Sequence, residues 1–289
     1  MYANKKIACV VLNYNDALQT IDFIQNMSSS RLIDVFVLVD NYSSDDSCEK
    51  LKKVISKDIV LRRTDRNGGY GFGNNYGVNI AKKEFDADYA IICNPDVQFT
   101  DDCLQTIVSA FVMDDMIAVA SAMQINGFTN EEIKNCAWRV PTYGDYLCSS
   151  LLFLSRFKKH IYAIDKSQDI QTVGCVPGAF LVVDINHFLE VGGYDENIFL
   201  FGEESTLGFK MAESGYKSVL LTKQYYYHFH STSIKKNIPK AISRHRMVLS
   251  SRMYYIEQYL KVSSIKKMIA SLAFKVSLVE YKLLYALKK

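Results

Sequence analysis

The sequence has no run of about 18 uncharged apolar residues, so no membrane-spanning helix is expected. Its N-terminus leads into only six apolar residues, Ile7–Leu12, and no small-residue cleavage site follows, so no secretory signal is expected. The seven cysteines are odd in number and include no Cys-x-x-Cys pair, which argues against a disulfide framework and a zinc site. A reduced, cytoplasmic protein is expected. Glycine is missing directly after the first apolar run, where Asn13-Tyr14-Asn15-Asp16 stands. The glycines of 67–75 are spaced Gly-x-Gly-x-Gly and come later, so they do not form the dinucleotide fingerprint. Tryptophan occurs once, as Trp138.

What is present suffices for one large core, or one core with a small appendage: 289 residues, 49% hydrophobic and 22% charged. Ile7–Leu12 and Val35–Val39 read as buried parallel strands, and Ile59–Leu61 begins a third. Leu18, Ile21, Ile24 and Met27 predict a helix after the first strand. Ser43 and Asp46, at capping-box spacing, predict one opening after the second. These repeats predict a doubly wound parallel sheet with right-handed crossovers. Tyr89–Val97 is the central stretch: an apolar strand broken at Asn94-Pro95, because proline cannot continue a ladder. Asp96 then falls just past the strand's carboxyl end, where open α/β sheets bind ligands. A lone carboxylate there suits Mg2+ or Mn2+, completed by water and phosphate oxygens; an ordinary strand-to-loop aspartate is the alternative. Asp40, past the second strand, can accept from a uracil or thymine ring N–H or a ribose hydroxyl, or it can simply start a helix. Arg66 is a cation that could reach phosphates, or a solvated side chain.

Six motifs stand in order: Val10–Asn15, Val39–Asp45, Asn67–Asn75, Asn94-Pro95-Asp96, Pro177–Phe180, and Gly192–Glu196 with Phe201–Glu204. Together they resemble the family 2 glycosyltransferases across residues 5–235. The rhamnosyltransferase-like branch, whose metal motif reads Asn-Pro-Asp, is the nearest. The resemblance implies an α/β protein of the GT-A fold, a doubly wound, mostly parallel sheet flanked by helices, with residues 1–234 as catalytic domain. It implies inverting transfer of a sugar, rhamnose on that branch, from a thymidine (dTDP) or uridine (UDP) diphosphate donor. The acceptor would be a saccharide or lipid-linked saccharide of bacterial surface polysaccharide. Asn13, Asn15, Asp40 and Asn41 would hold the nucleoside. A loop bearing Asn67, Gly68 and Asn74, beside Arg66, would flank the diphosphate, with Asn94 and Asp96 opposite. Asp96 and His228 would hold the Mg2+ or Mn2+; His228 fits better than His230, and a structural histidine is the alternative. Gly178 and Ala179 would leave room for the acceptor sugar. Trp138, in the irregular segment 124–172, is assigned to the acceptor side or the core. Glu203 and Glu204 would be catalytic, the second acid as base, although paired acids at a helix start also complement its dipole. The chain departs from the family pattern twice, with Glu204 in place of aspartate and Thr206 in place of a further aspartate. A sugar nucleotidyltransferase would want a glycine-rich basic loop after the first strand. A non-catalytic sugar- or partner-binding module is favoured by Thr206 alone. No nucleic-acid partner is expected.

Residues 235–289 carry thirteen Lys and Arg against Glu257 and Glu280, a net charge of +11, leaving −8 for residues 1–234. An acidic body with a basic tail predicts that the tail meets something anionic. Ile265, Ile269, Leu272, Val276, Val279, Leu283 and Leu287 form one helical stripe, with Lys275, Lys282 and Lys289 along an edge. A C-terminal helical extension is therefore expected. It would lie on an anionic membrane surface at the inner face of the cell membrane, or pack on the catalytic domain or a second copy as a homodimer.

Overall fold

The structure is a computed structural model that describes residues 4–154, 164–229 and 238–287. His230, Lys235 and Lys289 lie outside the described residues, as does the Leu287 side chain. The first strands are β1 (Ile7–Asn13), β2 (Val35–Asp40), β3 (Ile59–Arg63) and β4 (Tyr89–Cys93). They pair in parallel in the order β3-β2-β1-β4. Their continuous apolar runs follow from burial on both faces. Alternate residues divide between two core layers: Ile7, Cys9 and Val11 face one way, Ala8 and Val10 the other. The helices α1 (Ala17–Met27), α2 (Ser47–Leu51), α3 (Tyr70–Phe85) and α4 (Asp101–Met113) flank the sheet. Beyond β4 the sheet is mixed. β5 (Val97–Phe99), β6 (Ile117–Asn126), β7 (Ile170–Val173), β8 (Phe180–Asp184) and β9 (Lys217–His228) continue it as β4-β8-β6-β9-β5, with β7 also on β9.

Three local expectations change. Leu18 is exposed; α1 buries Ala17, Thr20, Phe23, Ile24 and Met27 instead. Ser43 caps no helix, because its hydroxyl accepts from the Asn13 side chain and the Asn15 amide, so α2 starts only at Ser47. Most of 67–75 is helix rather than loop, since α3 begins at Tyr70. A Cβ on Gly73 or Gly77 would stand 2.3 Å from Leu12 or Val10, so these glycines set the close approach of α3 to the sheet. Gly69 is different. Its φ is +94°, and a Cβ there would stand 2.2 Å from the Phe199 carbonyl oxygen, so the position requires glycine.

The helices α5 (Tyr143–Ser150), α6 (Ile185–Glu190) and α7 (Glu203–Glu213) follow, and the basic tail forms α8 (Ala241–Gln258) and α9 (Ser264–Leu287). The tail helices share a core with α5: Tyr146, Leu249, Tyr255, Ile256, Ala270 and Phe274 are buried together. Tyr255 donates to the Pro141 carbonyl at 3.1 Å, and Tyr254 and Tyr259 both donate to Asp195, at 3.0 and 2.6 Å. α9 packs inward through Ala270, Phe274 and Ser277, not through the stripe that the sequence pattern marks. Ile265, Met268, Ile269, Leu272, Val276, Val279 and Leu283 are left outward, beside the exposed Lys266, Lys275 and Lys282. No helix among the described residues is long and apolar enough to cross a membrane.

Candidate active site

The carboxyl ends of the parallel strands carry the first cluster. Asn13 and Asp40 stand side by side in register at the ends of β1 and β2. Asp40 is fully buried. Its carboxylate accepts from Asn13 Nδ2 at 3.1 Å and the Ser43 amide at 3.3 Å, and Arg63 Nε lies 3.2 Å away. Arg63 sits 5.0 Å over the exposed Tyr42 ring. Asn15 and Tyr42 have φ of +55° and +61°, a backbone region that non-glycine residues adopt at a cost and that clusters at functional sites.

The neighbouring asparagines brace backbone. Asn41 Nδ2 donates to Asn67 Oδ1 at 3.1 Å and to the Gly69 carbonyl at 3.0 Å. Asn67 accepts from the Gly69 amide, and buried Asn74 donates to the Tyr70 carbonyl. A Cβ on Gly68 would meet the Phe72 ring at 2.4 Å. Arg66 is exposed, stacked 4.3 Å over Phe72 and paired with Asp65.

Asp96 and His228 meet across the sheet, from the β4–β5 connection and the end of β9. Both are buried, and His228 Nε2 lies 3.3 Å from Asp96 Oδ2. Gln124 Nε2 stands 3.0 Å from His228 Nδ1, and Tyr226 donates to Gln124 Oε1 at 3.1 Å. One carboxylate beside one imidazole is a donor set that fits Mn2+, which takes both nitrogen and oxygen, and Mg2+ through the carboxylate. Among the described residues no cluster of three His, Cys, Asp or Glu forms a closed metal cage, so phosphate and water would supply most ligands.

Glu203 and Glu204 open α7, behind Phe201 at φ +69° and Gly202 at φ +118°. Glu203 is buried, and its Oε2 has no hydrogen-bond partner among the described residues. Burial pushes its carboxyl well above the ordinary range, and the adjacent Glu204 adds to the shift. Glu204 is half-buried and accepts the Gly178 amide at 3.3 Å. Burial raises its pKa too, while backbone N–H groups oppose the rise. Backbone N–H groups oppose the rise at Glu203 as well, but only there does the neighbouring acid add to it. Thr206 is fully buried and donates to the Glu203 carbonyl at 2.9 Å; an aspartate there would add a third buried acid.

Both glutamates face a cavity of about 460 Å³. Asn94, Gly178, Ala179 and His228 line one part of it, and Trp138 another. The expected acid and acceptor residues therefore share the cavity with Asn94 and His228, and Asp96 joins it only through His228, whereas Asn13, Asn15 and Asp40 do not line it, Arg66 stays outward, and Asn41, Asn67 and Asn74 serve the backbone. The fold adds residues that local sequence patterns did not single out. Tyr70 joins its amide to the Phe199 carbonyl at 3.0 Å and its hydroxyl to the Gly178 carbonyl at 2.5 Å. Gln124 orients His228, Arg63 holds Asp40, and Arg252 reaches the cavity from the tail. Each of these contacts joins residues far apart in sequence, so no spacing rule reveals them.

Residues 9–182 match the profile of the family described as Glycosyl transferase family 2. The chain is similar to the rhamnosyltransferase WbbL of Escherichia coli K12, 24% identical over 196 residues, which cover 62% of this chain and 72% of that protein. A mannosyltransferase from Pyrobaculum calidifontis, solved with GDP-Man and Mn2+, has a similar structure, with TM-score 0.61 and 13% identity over 99% of this chain and 76% of that one. GalNAc-T7, solved with UDP, GalNAc and Mn2+, aligns with TM-score 0.57 and 16% identity over 79% of this chain; only 44% of its own length is spanned. Staphylococcus aureus TarS aligns with TM-score 0.52 and 12% identity over 93% of this chain and 42% of its own.

Proposed function

Because the chain belongs to glycosyl transferase family 2, we propose that it is a metal-dependent, inverting transferase that moves a sugar from a nucleoside-diphosphate donor to a saccharide acceptor. The observation that carries the reading is Glu204, a base of raised proton affinity, set in the same cavity as His228 and the small-residue turn at Gly178-Ala179. Asp40, with Asn13 and Asn15 nearby, binds the nucleoside end. Asn94, Asp96 and His228 face the diphosphate. Lewis-acid neutralisation of the departing diphosphate is what a Mg2+ or Mn2+ ion held by Asp96 and His228 supplies when bound. Glu204 takes the proton of the acceptor hydroxyl as that oxygen bonds to the anomeric carbon from the face opposite the leaving diphosphate. Burial favours the neutral form of Glu203, which lessens the negative charge beside Glu204. Rhamnose on a thymidine diphosphate is the donor we favour, on the likeness to WbbL. The test is turnover of thymidine-, uridine- and guanosine-diphosphate sugars with and without Mn2+. A nucleotide-sugar that binds and is consumed only with metal is expected; no binding of any member of the panel sinks the reading.

We further propose that the acceptor is lipid-linked and that the enzyme works peripherally on an anionic inner membrane face. The outward stripe of α9, with Lys266, Lys275 and Lys282 exposed beside it, supports this. Each basic residue near such a surface contributes about 1 kcal/mol. Leu272→Glu with Val279→Glu should abolish pelleting with anionic liposomes at low salt while the chain stays folded. A wild-type chain that ignores those liposomes but sediments as a dimer would assign the stripe to a second copy. Truncating at Pro239 is no test, because it would also strip Leu249, Tyr255 and Ile256 from the shared core.

A further inference from the structure

Glu204 stands in the first turn of α7, directly after a loop whose shape the chain alone does not favour. Phe201 and Gly202, the last residues before the helix, have φ of +69° and +118°. That region costs a phenylalanine free energy, so surrounding contacts have to over-determine it. Some of them are local to the site. Asn197 donates its amide and its side chain to Asp195 Oδ1, both at 2.9 Å, and the Tyr70 amide reaches the Phe199 carbonyl. The others come from the tail.

The tail grips the loop at both ends. At its start, Asp195 Oδ2 accepts the hydroxyls of Tyr254, in α8, and Tyr259, which ends that helix, at 3.0 and 2.6 Å. Burial pushes the Asp195 carboxyl up, but the bonds from Tyr259, Asn197 and Tyr254 outweigh it and hold the group below the ordinary carboxylate range. The two tail contacts are therefore charge-assisted. At the far end, Ser251 Oγ donates to the Leu200 carbonyl at 3.3 Å, and a Cβ on Gly202 would stand 3.3 Å from Ser251 Cβ. Behind the loop, Phe209 of α7 meets the rings of Tyr255 and Tyr259 edge-on, at 5.9 and 5.4 Å. The helix that carries Glu204 and the loop that delivers it thus rest on the same tail helix. Leu200, Gly202 and Glu204 face the cavity together, whereas Ser251, Tyr254 and Tyr259 are not among the described residues that line it.

Resting on the transferase reading for the role of Glu204, we propose that Ser251, Tyr254 and Tyr259 are positioning residues for the base. Through Asp195 and the Leu200 carbonyl they set the 195–202 loop, and with it the place where Glu204 meets the acceptor hydroxyl. They touch neither donor nor acceptor and act only through the loop. Base and support both lie beyond residue 182, where the match to the family ends.

The test is Tyr254→Phe with Tyr259→Phe in the full chain, which removes two hydroxyls and keeps both rings in their packing. Consumption of thymidine-, uridine- and guanosine-diphosphate sugars is followed with Mn2+. For whichever donor the wild-type chain consumes, kcat should fall by about 10–100-fold with KM little changed, because a displaced base slows the chemistry and leaves the sheet end intact. Each single variant keeps one hydroxyl and should fall in between. Hydrogen exchange should quicken in peptides covering 196–206 and stay unchanged in those covering β1 and β2. An unchanged kcat in the folded double variant overturns the proposal, as does a rise in KM alone. If the double variant melts early, the single variants, assayed where both are folded, decide. A wild-type chain that consumes and binds no nucleotide-sugar sinks the transferase reading instead. Exchange then still decides the structural half of the proposal: no local quickening at 196–206 would show that the tail does not hold the loop.

Discussion

The two ends of the site are built in opposite ways. At the sheet end, Asn13, Asp40, Ser43, Asn41 and Asn67 bond one another, and the elements that carry them run close together in the chain. At the cavity end, Glu204, Trp138, Tyr146 and Arg252 come from four separate segments and converge on open space. The first arrangement is held by its own hydrogen bonds. The second depends on the packing of helices that follow the sheet, so its shape is as variable as those helices. On the proposed reading, such a division would let a fixed donor end serve many acceptors.

The sharpest way to break the comparison is Glu204→Gln, which keeps the shape and the Gly178 contact but cannot take a proton. Turnover should fall by roughly 10²–10⁴ with donor affinity retained in calorimetry. If Glu203→Gln proves to be the dead variant instead, the base is the neighbouring residue. Next in size, Asp96→Asn should weaken Mn2+-dependent nucleoside-diphosphate binding by about 10–100-fold. Binding that keeps both its strength and its metal dependence would remove Asp96 from the metal site. Gly69→Ala probes whether the sheet end is as rigid as its hydrogen bonds imply. The positive φ alone costs about 1–3 kcal/mol, and the Phe199 carbonyl adds a clash, so both the melting temperature and the donor affinity should drop. An alanine variant with unchanged melting would mean that the loop has a second conformation.

The smallest expected effect concerns pH. The Glu203 carboxyl holds its proton more tightly folded than unfolded. Its contribution to stability is therefore complete below the ordinary carboxyl range and is lost as pH rises toward the folded value. Glu203→Gln should melt a few degrees higher than wild type at pH 8, with the gap closing toward pH 4. A gap that is constant across that range would show that burial does not favour the neutral acid. The acid limb of turnover, governed by Glu204, should likewise sit above the usual glutamate range, because its own value is raised.

The parallel half of the fold is legible in the sequence because burial on both faces leaves continuous apolar runs, as in Ile7–Leu12 and Val35–Val39. Asp40, Asp96 and the Glu203–Glu204 pair are legible because strand ends and helix starts are marked by breaks in those runs. The antiparallel half is not, since β8 and β9 insert between β4 and β5 by contacts more than 80 residues apart. The glycines of 67–75 mislead for a physical reason: close helix–sheet packing and a flexible loop select the same residue. The tail stripe reads in sequence as one face with one purpose, whereas α9 packs through Ala270 and Phe274 and leaves that face outward.

Tyr70 has a consequence for how such enzymes change. Its amide is anchored to the segment before Glu203, and its hydroxyl to the turn that supplies the Gly178 amide to Glu204. Two distant stretches of the chain are thus geared to one side chain. Replacing the 67–70 segment with that of a relative would therefore also disturb the surroundings of Glu204. A workable chimera has to carry 67–70, 177–179 and 199–204 as a single block. Recombination within this family would then have to pass these three stretches on together, and with them the tail helix whose Ser251 bonds the Leu200 carbonyl.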